Sequence, residues 1–308
     1  MVSLRSHLVK YARSLPRTTR LELERYLASR SVKDPDQRPR KTTYWRELPF
    51  WLFNSYRTVF TRRDLPLAFL NEVRWGQQCL FLAIRIQDDL FDGDSSSPAL
   101  VCIADQFLIE ADRTFSQEFD RSSQFWEMYR SCLSKTTGSI LEVDGLQRKV
   151  TRDLQKLERA YAGVNALFEI GPGAICIRAK RAKDFPSISK FCDEMAIAGQ
   201  ILDDMRDLGE DLTRERFNYV ASFFLRRQST PLPQQAARGG AVKELLLNGS
   251  IAELFQILHQ HINLAECALA KLDLPGASCF FQHYRENLRH REGHLSRRHV
   301  DFVLNSLV

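Results

Sequence analysis

The chain has 308 residues, 44% of them hydrophobic, with only 14 glycines and 11 prolines; that is enough apolar material for a large core and too little turn chemistry for a β-rich fold. Its formal charge is +6, from 44 Lys and Arg against 38 Asp and Glu, and the basic residues are scattered rather than gathered between aromatics, which suits a small anionic substrate and argues against nucleic acid. Seven widely spaced cysteines without a C-x-x-C pair read as reduced thiols rather than a disulfide frame or zinc knuckle, and no apolar run reaches the ~20 residues of a membrane span, so a cytoplasmic protein is expected.

The first twenty residues carry Arg5, Lys10, Arg13, Arg17 and Arg20 and no acid, a composition shared with organellar transit peptides. Leu4, Leu8, Tyr11 and Leu15 fall at helical spacing, and an amphipathic first helix is the preferred reading. A second helix around Leu21, Leu23 and Leu27 ends near Ser31, and the polar stretch Val32 to Arg40, with Pro35 and Pro39, reads as a loop. Residues 1–34 thus form a helical arm. Trp45, Leu48, Leu52 and Phe53 restart a helix near Thr43.

From Leu65 to Phe91 apolar residues cover most of the helical circumference, the pattern of a helix inside a bundle. Asp92-Gly93-Asp94-Ser95-Ser96-Ser97-Pro98 stops it. Further helices are predicted over Ala99 to Phe119, Ser122 to Leu133, Val150 to Ile170 and Ser187 to Leu208, with Gly171-Pro172-Gly173 as a break or kink. Residues 228–240 are the best loop of the C-terminal third, and 283–308 a basic tail or helix. No strand pattern or fixed-period repeat appears. The expectation is a single all-α domain over residues 1–308, a bundle of long helices.

Two acidic clusters carry the chemistry. Asp88, Asp89 and Asp92 close the buried helix, and Asp88 and Asp92 share one of its faces. Two adjacent carboxylates at a helix C-terminus face each other's charge and the negative end of the dipole. A divalent cation resolves both. Hard oxygen ligands select Mg²⁺, which takes one or two carboxylates plus substrate phosphates. The second cluster, Asp203, Asp204 and Asp207 with Asp211, also follows an apolar segment, and Asp203, Asp207 and Asp211 are spaced i, i+4, i+8. One acidic helix end is usually a solvated terminus. Two of them, each closing an apolar helix, predict Mg²⁺ ions around one diphosphate, facing each other across a bundle core.

Asp88-Asp89-Leu90-Phe91-Asp92 and Gln200 with Asp203-Asp204-Met205-Arg206-Asp207 resemble the two aspartate-rich motifs of the trans-prenyl diphosphate synthases. Glu210-Asp211-Leu212-Thr213 with Phe217-Asn218-Tyr219, and Tyr161 to Ile170, are similar to later stretches of that family. The resemblance covers residues 35 to 225. It implies the class I isoprenoid synthase fold, helices around a deep central cavity. It also implies three Mg²⁺ ions, a prenyl diphosphate substrate of C10–C20 and a homodimer. Asp88, Asp89, Asp92, Asp203, Asp204 and Asp207 become the catalytic aspartates, and all but Asp204, with Asp211, the metal ligands.

The cations of the family pattern are missing. Gly93 to Ala99 holds none where the family has an arginine pair; its lysine and threonine fall on Val164 and Asn165, and an N-terminal arginine near Tyr44. Two diphosphates in one cavity would then lack neutralising charge. The expected activity is therefore ionisation of one allylic diphosphate, as in terpene cyclases. A divergent prenyltransferase and a non-catalytic partner subunit are the alternatives. Diphosphate ligands are sought in Arg159, Lys41, Arg206 and Arg285, and cavity walls in Phe81, Ala83, Ile84 and Phe168. His290 and His294 are i, i+4, but the arginines crowding them argue against zinc.

Overall fold

The computed structural model describes residues 4–32, 44–58, 65–91, 93, 95, 97–151, 153–225 and 250–306. Every regular element among them is helical, as the scarcity of glycine and proline and the 3.6-residue periodicity require. The loop readings at 32–40 and 228–240 lie almost wholly outside the described residues. The helices are α1 (Leu4–Ser14), α2 (Arg17–Val32), α3 (Tyr44–Arg57), α4 (Leu67–Phe91), α5 (Ala99–Ser116) and α6 (Phe125–Gln147). They continue with α7 (Leu154–Val164), α8 (Ile170–Arg178), α9 (Phe185–Thr213), α10 (Tyr219–Leu225), α11 (Ser250–Leu269) and α12 (Pro275–Ser306). The chain divides into two compact units, Met1–Ser131 with Leu167–Phe185, and Cys132–Ala166 with Pro186–Val308.

In the first unit α4 is the hub, packed by α1, α3, α5 and α8. Its apolar circumference is used on every side: Phe69, Leu70, Val73, Leu80 and Ile86 are all buried. Gly76 admits the Phe115 ring of α5, whose nearest atom lies 2.7 Å from where a Cβ would be. The basic α1 docks here as an ordinary amphipathic helix. His7 stacks on Trp75, and the Tyr11 hydroxyl donates to the Gln106 carbonyl at 2.9 Å. Pro49, inside α3, has no N–H for the carbonyl of Trp45 one turn back. Gln77 of α4 answers that carbonyl from its side-chain amide at 3.4 Å, and the Phe168 carbonyl at 3.1 Å.

Three expectations about helix ends and breaks are corrected here. The segment 150–170 is not one helix. Asn165 ends α7 at Val164 and turns its side-chain amide onto the Tyr161 carbonyl at 3.1 Å, before a 3₁₀ turn at Ala166–Glu169. Gly171-Pro172-Gly173 is no break; it forms the first turn of α8, where proline's missing N–H has no intrahelical partner to lose. The glycines serve close approach. A Cβ on Gly171 would meet the Gln77 side chain at 1.7 Å, and one on Gly173 the Met128 sulfur at 2.2 Å. Helix α6 also runs on to Gln147, past the expected Leu133, because its second half is largely exposed and carries little apolar pattern.

The second unit is organised on α9. Tyr161 of α7 reaches Asp204 on α9, His261 of α11 reaches Glu194, and Phe281 of α12 meets Phe191 edge-on with ring centroids 5.9 Å apart. Leu254, Phe255, Leu258 and Ile262 bury the inner face of α11. No single described helix is long and apolar enough to cross a membrane.

Candidate functional site: two aspartate clusters

The first cluster forms at the C-terminal end of α4. Gly93 closes it in the left-handed region, with φ of +71°; its N–H returns to the Leu90 carbonyl, and that of Ser95 to the Asp89 carbonyl. The paired aspartates then separate by face. Asp89 is 1% exposed, accepts from the Tyr26 hydroxyl at 2.5 Å and forms an ion pair with Arg85 Nη2 at 3.1 Å. Asp88 remains half exposed and pairs with Arg85 Nη1 at 3.1 Å. One guanidinium therefore spans both carboxylates. Asp92 and Lys41 lie outside the described residues.

The second cluster, on α9, repeats the division. Asp204 is buried and accepts from the Tyr161 hydroxyl at 2.6 Å, the Gln200 amide at 2.9 Å and the Tyr219 backbone N–H at 2.8 Å. Burial pushes its carboxyl up to about 7 against the pull of those three donors. Asp203 and Asp207 are half exposed, as one helical face requires. Between them lies Arg206, whose Nε and Nη2 reach the two oxygens of Asp207 at 2.8 Å each, while Nη1 reaches Asp203 at 3.1 Å. Asp211 is tied by the Asn218 amide at 2.7 Å, and that amide also donates to the Asp204 carbonyl. Burial raises the Asp211 carboxyl as well.

The other candidates fall in different surroundings. Arg159 is an exposed residue of α7. Arg285 of α12 reaches Asn263 at 2.9 Å and Glu266 at 2.5 Å, both on α11. Phe81 and Phe168 do come together, in one cluster with Trp45: their centroids lie 4.8 and 4.9 Å from its ring and 6.1 Å from each other. Phe81 sits two turns before Asp88 on the same face of α4. Ala83 is fully buried and Ile84 half buried.

The sequence reading missed Arg85 and Tyr26. Arg85 was legible, since three and four residues are the spacings at which helical side chains meet. Tyr26, on a separate helix 63 residues from Asp89, leaves no such local signal.

The donor set fits Mg²⁺. Asp88, Asp203 and Asp207 offer hard carboxylate oxygens at accessible positions, with side chains 48%, 45% and 40% exposed. Asp89 and Asp204 have their oxygens engaged inward. Among the described residues no three His, Cys, Asp or Glu converge as a ready cage. Mg²⁺ commonly takes only one or two carboxylates and completes its shell with water and phosphate.

No family model and no curated protein sequence matches the chain. Solved structures do. The farnesyl pyrophosphate synthase of T. brucei superposes with a TM-score of 0.64 over 94% of this chain and 96% of that one, at 14% identity. A geranylgeranyl pyrophosphate synthetase from the archaeon Geoglobus acetivorans gives 0.61 over 79% and 84%, at 14% identity. The octaprenyl pyrophosphate synthase of Helicobacter pylori gives 0.60 over 92% and 100%, at 12% identity. All-helical, with one aspartate cluster ending α4 and the other inside the last turns of α9, the chain shares the fold of these prenyl diphosphate synthases.

Proposed function

We propose that the chain is a class I isoprenoid synthase whose aspartate clusters bind Mg²⁺ and ionise an allylic prenyl diphosphate. The observation that carries this reading is the parallel division of the two clusters. Each has one aspartate buried and fixed by a tyrosine hydroxyl, Asp89 by Tyr26 and Asp204 by Tyr161, and at least one outward carboxylate beside it. A solvated helix end has no use for such a clamp. In this reading the buried members orient α4 and α9, and Asp88, Asp203 and Asp207 supply oxygens to the metal. Asp92 and Asp211 extend the two ligand sets, and three ions are expected. Mg²⁺, when bound, neutralises the diphosphate as it leaves. Arg206 supplies further positive charge, and Lys41, Arg159 and Arg285 remain candidates for the same task. Phe81 and Phe168 with Trp45 offer an apolar, aromatic wall two turns from Asp88, suited to a carbocation kept from water; Ala83 and Ile84 belong to the same stretch of α4.

The likeness to prenyl diphosphate synthases supports condensation of two isoprenoid diphosphates, so a trans-prenyltransferase is the first form of the reading. The second is a terpene cyclase, favoured by the absence of any cation from Gly93 to Ala99 and by Val164 and Asn165 in the family's lysine and threonine positions. The substrate is a C10–C20 prenyl diphosphate in either case, and a single-domain chain assembling as a homodimer in the cytoplasm completes the proposal. The test is turnover of geranyl, farnesyl and geranylgeranyl diphosphate with Mg²⁺, each with and without isopentenyl diphosphate. A longer diphosphate formed only with isopentenyl diphosphate is the expected result. Hydrocarbons or alcohols formed without it would make the chain a cyclase, and no turnover would leave a partner subunit.

A further inference from the structure

We infer that Arg85 and Arg206 are resident counter-ions of the two aspartate clusters, displaced by Mg²⁺ and then available to the diphosphate. The inference rests on the functional reading above and adds what that reading lacks, a source of positive charge.

Both clusters place one arginine across two carboxylates, although the sequence builds the arrangement in opposite directions. Arg85 precedes Asp88 by one helical turn; Arg206 follows Asp203 by one turn. Each guanidinium spans two carboxylates. Arg206 commits Nε and both terminal nitrogens to Asp203 and Asp207, at 2.8 to 3.1 Å. Arg85 places its two terminal nitrogens on Asp88 and Asp89, at 3.1 Å each. Of these, the Asp88, Asp203 and Asp207 oxygens are the ones a divalent ion would need. Without metal the arginines relieve repulsion between neighbouring carboxylates. With metal, arginine and Mg²⁺ compete for the same lone pairs.

The competition is mild. The arginine side chains are 45% and 60% exposed, so they can swing on flexible stems toward water, and their pairs with the half-exposed Asp88, Asp203 and Asp207 hold weakly. Once displaced, each guanidinium stays within a turn of a bound Mg²⁺. Two like charges that close favour an anion, and the planar fork of arginine matches phosphate oxygens two at a time. Metal and diphosphate should therefore bind with positive coupling, each raising the other's affinity by the same factor. The same arginines would supply the charge that Gly93 to Ala99 does not.

The test is calorimetric titration of Mg²⁺, alone and with inorganic pyrophosphate, into the wild type, Arg206→Met and Arg85→Met. With Mg²⁺ alone, Arg206→Met should bind about fivefold tighter or more, because the competitor is gone. With pyrophosphate present, the gain in Mg²⁺ affinity should be smaller than in the wild type. Arg206→Lys, which keeps the charge and loses the fork, should lie between the two. Arg85→Met should reproduce the pattern independently. Unchanged or weaker binding of Mg²⁺ alone by both methionine variants, in protein with wild-type helical circular dichroism, would overturn the inference. A wild type that binds no Mg²⁺ with or without pyrophosphate would overturn the functional reading, and the inference with it.

Discussion

Asp89 and Asp204 are the inner members of their pairs, and each takes a tyrosine hydroxyl in a buried position. Their neighbours Asp88 and Asp203 look outward. Adjacent aspartates should therefore fail in different ways. Asp88→Ala should leave the thermal midpoint within a few degrees of the wild type and cut Mg²⁺-dependent turnover by about 100-fold or more. Asp89→Asn should instead cost roughly 1–3 kcal/mol in chemical denaturation, by disturbing the Tyr26 and Arg85 contacts. The burial of Asp204 sets a pH dependence. Its folded carboxyl titrates at about 7 against an ordinary 3.8, so between those values the folded state holds a proton that the unfolded state releases. Stability should fall as pH rises through that window and level off above it, by on the order of 4 kcal/mol for this residue. Asp211 is raised in the same direction and adds to the slope. Thermal unfolding in EDTA from pH 4.5 to 8 checks this, and Asp204→Asn should flatten the slope. The i, i+4 spacing of Asp203 and Asp207 made the outward carboxylates legible in the sequence. The inward turn of Asp89 and Asp204 was not, because it depends on tyrosines contributed by other helices.

At the scale of elements, apolar periodicity located the helices that carry the clusters and failed where other forces end or extend a helix. Helix α4 came through within two residues of its expected start, since most of its circumference is apolar. Asn165 stops α7 by a side-chain bond to the chain behind it, which periodicity does not register. Gly171-Pro172-Gly173 has the composition of a break, yet it lies where a proline is tolerated and where α8 approaches α4 and Met128 too closely for a side chain. Gly171→Ala tests that account. The Gln77 amide it would strike is held by two backbone carbonyls, those of Trp45 and Phe168. It cannot yield freely, and the substitution should cost about 1–3 kcal/mol by urea denaturation. A neutral or stabilising result would mean that the glycine is there for another reason.

At the scale of the whole molecule, composition alone narrowed the fold class: little glycine, little proline and no alternating pattern leave a helical core. The resemblance then named a fold that superposition on prenyl diphosphate synthases bears out at 12–14% identity, while the division into two compact units left no trace in composition or linker signals. At that identity the fold is a property of core patterning, and activity must be argued from the clusters themselves. The most direct measurement is pyrophosphate release from farnesyl and geranylgeranyl diphosphate, with isopentenyl diphosphate present, in the wild type, Asp88→Ala and Asp203→Ala. Release that requires Mg²⁺ and falls by about 100-fold or more in each variant is the predicted result. Release that persists in EDTA, or is unchanged in both variants, would contradict the account.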